Sequence, residues 1–270
     1  SVDGIPLGNG DSYRRENPIR ESTHNPDQCP LEAFVAETAG YGIVKGGGPS
    51  GNFRVSATVS GRNPVHKHDD NGALSLYYAG VEWLPDPSFY SHDYQHRYSS
   101  FLRSRFAHSS VVANEGDYIR FPEDRSIEYE EAFDRDNQVS VGFRLRHSSS
   151  RLFSHHRRVV VSESVSTIFV DDLVVVSGGT QDLSLTSILH FGDGVHIGLD
   201  DRGLHAVATH PGSPGLLEID FQEPVKVVTG FDESRQVQGL VGTGFQQALM
   251  SSSVYWEPGP GLQKFTIRLR

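Results

Sequence analysis

Two histidines separated by a single residue, His66 and His68, begin the segment of this chain whose side chains are best suited to chemistry. Side chains alternate between the faces of an extended backbone, so both imidazoles would point the same way. Aspartates and a third histidine, His108, follow in the same segment, and such side chains could converge on one metal ion. The chain contains 13 histidines, so the pair could equally be two surface imidazoles on a strand. The pair by itself leaves both interpretations open.

Short strands are the elements that would position these side chains. The chain contains 28 glycines and 14 prolines, and its apolar runs are short, rich in valine, phenylalanine, tyrosine and isoleucine, and separated by turn-forming residues. Because many runs alternate apolar and polar residues, the pattern predicts sheets with one solvated face and argues against long helices. The clearest predicted strands are Tyr41 to Lys45, Phe53 to Val59, Leu74 to Tyr78, Val139 to Leu145, Arg158 to Ser162, Thr167 to Val176, Leu183 to His190, Leu216 to Phe221, Val225 to Thr229 and Phe265 to Leu269.

The order of motifs resembles that of the C-terminal β-sandwich domain of the heparinase II/III family of polysaccharide lyases. Residues 40–200 carry the resemblance, through the His66, His68, Asp69 run, Gly80 through Pro87, Ala107-His108, His155 through Arg158, and Leu189 through Gly194. The resemblance implies an all-β fold, a large antiparallel β-sandwich without the α/α toroid that precedes it in the family. We expect residues 1–38 to be an arm or linker from an upstream region and residues 39–270 to form the sandwich domain.

The resemblance also implies a structural zinc ion bound by His68, Asp86 and His108, which would hold the loops that shape a cleft. Two imidazoles and one carboxylate suit zinc at near-tetrahedral geometry. Ser109 stands where the family usually has asparagine. The hydrogen bonding around His108 is therefore expected to differ from the family pattern.

Lyases of this family cleave beside a uronic acid by β-elimination, in which the C5 proton is removed and the O4 group leaves. The resemblance implies that His66 is the catalytic or charge-neutralising histidine of the sandwich. It implies that Tyr98, or less strongly Tyr94, is a substrate-binding or proton-transfer tyrosine. Such a reaction needs a base within reach and donors that stabilise the developing enolate. In the family the toroid supplies the main catalytic tyrosine, so a separate or upstream toroid domain is expected as a partner.

The balance of charge limits the classes of partner. A net charge of -10 and a sequence pI of about 5.7 argue against a general nucleic-acid binder and against dependence on an anionic membrane. Arg97, Arg103 and Arg105 nevertheless make one loop locally cationic, and a guanidinium can donate two parallel hydrogen bonds to a carboxylate or sulfate. The family resemblance, rather than charge alone, implies that they bind an anionic polysaccharide. The alternative is that they pair with the acidic residues 123–136.

Two other functions remain open at this point. One is a non-catalytic glycan-binding or assembly module on the same fold, and the other is a cupin-like metal enzyme. Spacings of 18 residues from His68 to Asp86 and 22 from Asp86 to His108 fit the lyase domain better than a cupin. No apolar run has the length of a membrane span, and no signal-peptide pattern follows Ser1, so a periplasmic or secreted location is implied by the resemblance alone. The single cysteine, Cys29, cannot form an internal disulfide.

Three further stretches favour structural roles. The run from His155 to Arg158 is predicted to start a strand, with polar side chains that face solvent or bond to a neighbouring loop. Glu128 and Glu130 are predicted to lie on a solvated strand or turn rather than to form the carboxylate pair of a glycosidase. The glycine-rich residues 46–51 are predicted to connect two strands of a hairpin.

Overall fold

The computed structural model of the chain describes residues 29–59, 67–114, 118–133, 139–148, 150–162, 166–177, 183–232, 236–259 and 261–270. Strands dominate this part of the chain, together with one short α-helix and one 3₁₀ turn. In chain order the elements are β1 (Glu32–Ala36), β2 (Tyr41–Gly48), β3 (Gly51–Thr58), β4 (Leu74–Tyr78), β5 (Val81–Leu84), α1 (Arg97–Arg103), the 3₁₀ turn Arg105–Ala107, β6 (Val111–Ala113), β7 (Arg125–Phe133), β8 (Val139–His147), β9 (Phe153–Ser162), β10 (Thr167–Val176), β11 (Leu185–His190), β12 (His196–Leu199), β13 (His205–Thr209), β14 (Leu216–Phe221), β15 (Lys226–Thr229), β16 (Leu240–Gly244), β17 (Gln247–Met250), β18 (Ser252–Trp256) and β19 (Gly261–Leu269).

The described strands pair into antiparallel sheets. A five-stranded sheet has the order β1-β2-β3-β4-β5, and an eight-stranded sheet has the order β12-β13-β14-β19-β10-β9-β8-β7. A four-stranded sheet has the order β15-β18-β11-β6, and β16 pairs with β17 as a separate hairpin. The predicted all-β class and large antiparallel β-sandwich are confirmed.

The main core lies between the five-stranded and eight-stranded sheets. Strands β1 and β2 lie against β7 and β8, and Val44 and Val55 from one sheet share a buried cluster with Val141 and Phe143 from the other. Burial alternates along β2 and along the second half of β19, as expected for strands that present one face to a core and the other to solvent. The hydrophobic effect of this shared interior therefore holds the two large sheets together.

The outer face of the eight-stranded sheet carries paired charges. Glu130 in β7 accepts hydrogen bonds from Arg144 in β8 at 2.8 Å and from Arg158 in β9 at 2.9 Å. Asp124, just before β7, forms an ion pair with Arg146. Within the described part of residues 123–136, these carboxylates are thus bound by arginines of the sheet and not by Arg97, Arg103 or Arg105.

Two local structures differ from expectation. The cationic segment that was expected to be a loop contains helix α1. The start of this helix is capped by His96, whose Nδ1 accepts the N–H of Tyr98 at 3.2 Å. A helix of seven residues is too short to show a 3.6-residue periodicity in the sequence.

The described helices include none long and apolar enough to cross a membrane.

The polar run at the start of β9 also differs in part from its prediction. His155 and Arg157 point inward and are buried, whereas His156 and Arg158 alternate to the outer face. The expectation that these side chains face solvent is wrong for His155 and Arg157. The alternative expectation, bonding to a neighbouring loop, holds for Arg157, whose contacts are described below.

Candidate metal centre

The segment that carries His68 is held by ionic and amide contacts on both sides. Lys67 forms an ion pair with Asp70, and Arg120 donates from Nε to Asp69 at 2.6 Å. The N–H of Asp69 donates to the carbonyl of Arg103 at the end of α1, at 2.9 Å. His68 therefore lies between two residues whose side chains or backbone are fixed to neighbouring segments.

Asp86 lies just beyond the end of β5. It is flanked by Pro85 and Pro87, whose fixed φ favours an extended backbone. The carbonyl of Pro87 accepts the N–H of Gly242 in β16 at 2.9 Å, which joins this loop to the β16–β17 hairpin. The Asp86 side chain itself is 67% exposed.

His108 follows the 3₁₀ turn and precedes β6. Its side chain is 1% exposed, and the next residue, Ser109, bonds to two other segments. The carbonyl of Ser109 accepts the N–H of Leu74 at 2.9 Å, and its Oγ accepts the N–H of His190 at 2.9 Å. Ser109 thus supports the strand beside His108 through backbone groups of β4 and β11.

The three side chains come together at one point. Nδ1 of His108 lies 3.7 Å from Oδ1 of Asp86, and the rings of His68 and His108 lie 5.6 Å apart. One potential ligand atom from each of the three residues lies within 4.8 Å of the others. Ligands at the usual zinc bond lengths of about 2.0 to 2.2 Å would be separated by about 3.5 Å, so small side-chain adjustments would bring the three atoms to three of the four corners of a tetrahedron.

Burial shifts the pKa values of these three side chains. It lowers the pKa of His108 well below the usual value, with His68 adding repulsion, and it also lowers the pKa of His68, although Asp70 opposes that shift. Both imidazoles are consequently neutral at pH 7, which is the form that binds metals. The surrounding protein and the nearby Asp70 raise the pKa of Asp86 to about 6.

His108 also differs from His190, the buried histidine at the end of β11. His190 has both ring nitrogens within hydrogen-bond distance of partners, with Nδ1 2.8 Å from Oγ of Ser253 and Nε2 3.0 Å from the carbonyl of Leu240. Nε2 of His108 is buried and has no hydrogen-bond partner among the described residues. An unsatisfied buried nitrogen is costly, so hydrogen bonding alone does not explain why His108 is buried there.

A cavity of about 380 Å³ opens beside these residues. Three aromatic residues, two histidines, three serines and one arginine form its wall, a composition that suits a ligand with both an apolar face and negative charge. The lining residues are His68, Ser88, Phe89, Tyr90, Ser91, His92, Tyr94, Ser99 and Arg103.

The three arginines expected to bind substrate occupy different places. Arg103 lines the cavity and lies 3.8 Å above the ring of Tyr94. Arg97 donates to the hydroxyl of Tyr98 at 3.0 Å and lies 5.2 Å from the ring centre of Phe231, while Arg105 lies over Phe106. Arg97 and Arg105 do not line the cavity.

The two candidate tyrosines also occupy different places relative to the cavity. Tyr94 lines the cavity and is 44% exposed, whereas Tyr98 packs edge-on against Tyr90, with ring centres 5.4 Å apart. His66 lies outside the described residues. Sequence reasoning missed Phe89 and Tyr90 as cavity residues; two adjacent aromatic residues just after Asp86 were the available signal.

Comparisons with known proteins agree with this architecture. A family model described as Heparinase II/III-like, C-terminal, matches residues 30–235. A heparan sulfate lyase, HepC, from Pedobacter heparinus superposes with a TM-score of 0.68 at 13% identity, covering 88% of this chain and 36% of that one. A heparinase III gene product gives a TM-score of 0.68 at 13% identity, covering 91% of this chain and 36% of its own.

A further solved heparinase III gives a TM-score of 0.64 at 11% identity, with 88% of this chain and 36% of that chain covered. The chain thus spans 36% of the length of each of these solved relatives. A search of curated protein sequences gave no significant match. Similarity at such low identity shows a shared fold.

Proposed function

The chain belongs to the family of heparinase II/III-like C-terminal domains, and from this premise we propose that it is the zinc-containing sandwich domain of a polysaccharide lyase. The substrate we propose is a uronate-containing glycan of the heparin, heparan sulfate or alginate kind, cleaved by β-elimination. The observation that carries the proposal is that one cavity is lined both by His68, a candidate ligand, and by Arg103, a cation suited to a carboxylate.

His68, Asp86 and His108 would hold the zinc ion. Their donor set fits the metal, since two neutral imidazoles and one carboxylate lie within reach of one point. When bound, zinc would supply a cross-link between three chain segments. The segments before β4, after β5 and before β6 carry these residues, so the cross-link would fix part of the cavity wall.

Arg103 and the aromatic side chains would bind the sugar at the cleavage site. The guanidinium of Arg103 would pair with the uronate carboxylate and neutralise the charge that otherwise opposes removal of the C5 proton. Tyr94 and Phe89, which are exposed at the cavity, would pack against the apolar face of the sugar ring. A base then takes the C5 proton, the C4–O4 bond breaks, and its electrons leave with O4 as a C4=C5 double bond forms.

His66 and a tyrosine are the groups that we propose for proton transfer. His66 precedes His68 by two residues, so an extended backbone would direct it to the same side. Tyr98 is the tyrosine favoured by the sequence, but Tyr94 is better placed, since it lines the cavity. The remaining catalytic groups are proposed to come from a separate or upstream α/α toroid domain. The periplasmic or secreted location that we propose rests on the family resemblance.

The decisive experiment measures product formation with an α/α toroid domain supplied in cis or in trans. Cleavage would be followed by the ultraviolet absorbance of the unsaturated sugar, with alginate and heparan sulfate as substrates. His66→Ala is expected to lower the rate by roughly 10²- to 10⁴-fold, the usual contribution of one proton-transfer group. Full activity of that variant would remove His66 from the mechanism, and absence of product from the wild-type assembly would contradict the lyase proposal.

A non-catalytic glycan-binding module is the second candidate. It is favoured by one observation, that the exposed rings of Phe89 and Tyr94 line the cavity together with Arg103, an arrangement that can bind a sugar without cleaving it. The two candidates differ in outcome: a lyase domain yields unsaturated product once assembled, whereas a binding module retains the polysaccharide intact under the same conditions.

A further inference from the structure

Arg157 is a buried cation in contact with the two segments that carry His68 and His108. The residue is 2% exposed and lies in β9 opposite Asp172 of β10. Its Nε and Nη2 donate to the two carboxylate oxygens of Asp172 at 2.7 and 2.8 Å. Nε2 of His155 lies 2.9 Å from the same carboxylate, so Asp172 is bound from two sides.

Asp172 is ionised in this setting. Burial acts to raise the pKa of its carboxyl, but the charge of Arg157, together with His155, holds that pKa well below the usual range. The pair fixes the plane of the guanidinium, because a carboxylate that accepts two parallel bonds allows one orientation of the fork. One nitrogen of Arg157, Nη1, remains directed away from Asp172.

Nη1 joins the two segments that carry the histidine ligands. It donates to the carbonyl of Gly72 at 2.5 Å and to the carbonyl of Ser109 at 2.8 Å. Gly72 is four residues beyond His68, and Ser109 directly follows His108. A single charged group therefore sets the separation of the two backbones from which the imidazoles project.

We propose that Arg157 is a positioning residue of the metal centre, which holds His68 and His108 in register through the carbonyls of Gly72 and Ser109. The inference rests on the proposed zinc site. A buried ion pair is not by itself needed for stability, since apolar side chains of similar volume can replace one without loss. A lysine or an apolar residue lacks the geometry to hold Asp172 by two parallel bonds and to donate to two carbonyls at once, and this combination is what the site uses.

The test compares Arg157→Lys with Arg158→Lys in the full chain. Arg158 is the adjacent residue on β9, but it faces the outer surface, where it bonds to Glu130 and Asp171, so its replacement is a matched control. Zinc affinity would be measured by competition with a chromophoric chelator. Arg157→Lys is expected to weaken binding by about 10- to 100-fold, the usual effect of losing a group that orients metal ligands, and Arg158→Lys to leave it unchanged.

Amide hydrogen exchange supplies a second readout that does not require metal. The N–H of Leu74 donates to the same Ser109 carbonyl as Arg157, and the N–H of Gly72 donates to the carbonyl of Thr58. Both amides are expected to exchange faster in Arg157→Lys than in Arg158→Lys. If Arg157→Lys does not fold, His155→Gln takes its place, since it removes one support of Asp172 while leaving the guanidinium intact, and a smaller change in the same direction is expected.

The outcomes separate this inference from the proposed function. If the wild type binds zinc and Arg157→Lys binds it with the same affinity, the positioning role is overturned and the proposed zinc site is unaffected. A wild-type chain that binds no zinc contradicts the proposed site; faster exchange at Gly72 and Leu74 in Arg157→Lys would then still support the positioning role, and unchanged exchange would overturn it.

Discussion

Oδ1 of Asp86 lies 3.7 Å from Nδ1 of His108, although 22 residues separate the two along the chain. The two residues lie next to strands: Asp86 follows the end of β5, and His108 precedes the start of β6. The two segments also belong to different sheets, since β5 closes the five-stranded sheet and β6 closes the four-stranded one. A metal bound here would therefore link two sheets as well as two residues.

Removing one ligand should test that link directly. His68→Ala is expected to abolish binding of about one zinc ion per chain and to lower the melting temperature, because the binding energy of a structural site is also folding energy. Each 1 kcal/mol lost should lower the melting temperature by about 2 to 4 °C in a domain of this size. Elemental analysis and calorimetry would measure both effects.

His92→Ala is the matched control for this variant. His92 lines the same cavity but lies outside the three-residue set. It should keep its zinc and melt close to the wild type. Equal zinc content in His68→Ala and the wild type would contradict the assignment.

Zinc affinity should fall in mild acid. The pKa of Asp86 is raised to about 6 before metal binds, and metal binds the ionised carboxylate. Above that pKa the carboxyl is already ionised and binding displaces no proton from it. Below it, one proton must leave for each ion bound, so the dissociation constant should rise by about tenfold per pH unit.

Titrations at pH 7.5, 6.5 and 5.5 would measure this dependence. Asp86→Asn, which carries no titratable carboxyl, is expected to bind more weakly at pH 7.5 and to lose less affinity between pH 7.5 and 5.5 than the wild type does. An affinity of the wild type that is constant across this range would contradict the involvement of Asp86.

Gly72 is expected to be difficult to replace, because both its backbone conformation and its surroundings favour glycine. Its φ is +76°, and a Cβ built on it would lie 2.5 Å from Nε2 of His147 and 2.9 Å from Nδ1 of His155. Gly80 has a similar φ of +86° with nothing within 4 Å of its Cβ position. Gly80→Ala should therefore show the cost of backbone strain alone, about 1 kcal/mol or somewhat more.

Gly72→Ala should add the cost of overpacking, about 1 to 3 kcal/mol beyond the Gly80→Ala value. It should also weaken zinc binding, since the carbonyl of Gly72 is held by Arg157. Urea unfolding of both variants would compare the two free energies. Equal losses at the two positions would show that the close approach to His147 and His155 is relieved without cost.

Much of the fold could be predicted from the sequence because alternation marks a strand that has one solvated face. Thr167 to Val176 and Leu216 to Phe221 were predicted with the bounds that the structure shows. Strand β6 was missed because its three residues are all buried, and three residues cannot display a period. The His68, Asp86 and His108 set followed from the order of motifs, and the structure brings these residues together.

The contacts of Arg157 near the site could not be predicted in the same way. Arg157 precedes Arg158 in a run of four polar residues, and nothing in the sequence says which of the two faces the interior. That depends on the register of β9 with β10, in which Arg157 pairs with Asp172. Likewise, the cavity formed by Phe89, Tyr90 and Tyr94 depends on how the loop after β5 folds over α1, which is a tertiary property.

Replacing arginines should distinguish the residue that lines the cavity from its neighbour on the same helix. Arg103→Ala is expected to weaken binding of a uronate oligosaccharide by about 10-fold or more, since a charge-assisted hydrogen bond contributes roughly 1.5 to 3 kcal/mol. The backbone carbonyl of Arg103, which accepts the N–H of Asp69, remains in this variant, so the segment of His68 should stay in place.

Arg97→Ala is the matched control, because Arg97 begins α1 and contacts Tyr98 and Phe231 outside the cavity. It should change the affinity by less than about twofold, as expected for a cation remote from the ligand in buffer of physiological ionic strength. Arg103→Lys should fall between the two, since it keeps the charge but loses the planar fork. Calorimetric titration of the three variants would rank them, and an Arg97→Ala loss as large as that of Arg103→Ala would place the anion-binding surface outside the cavity.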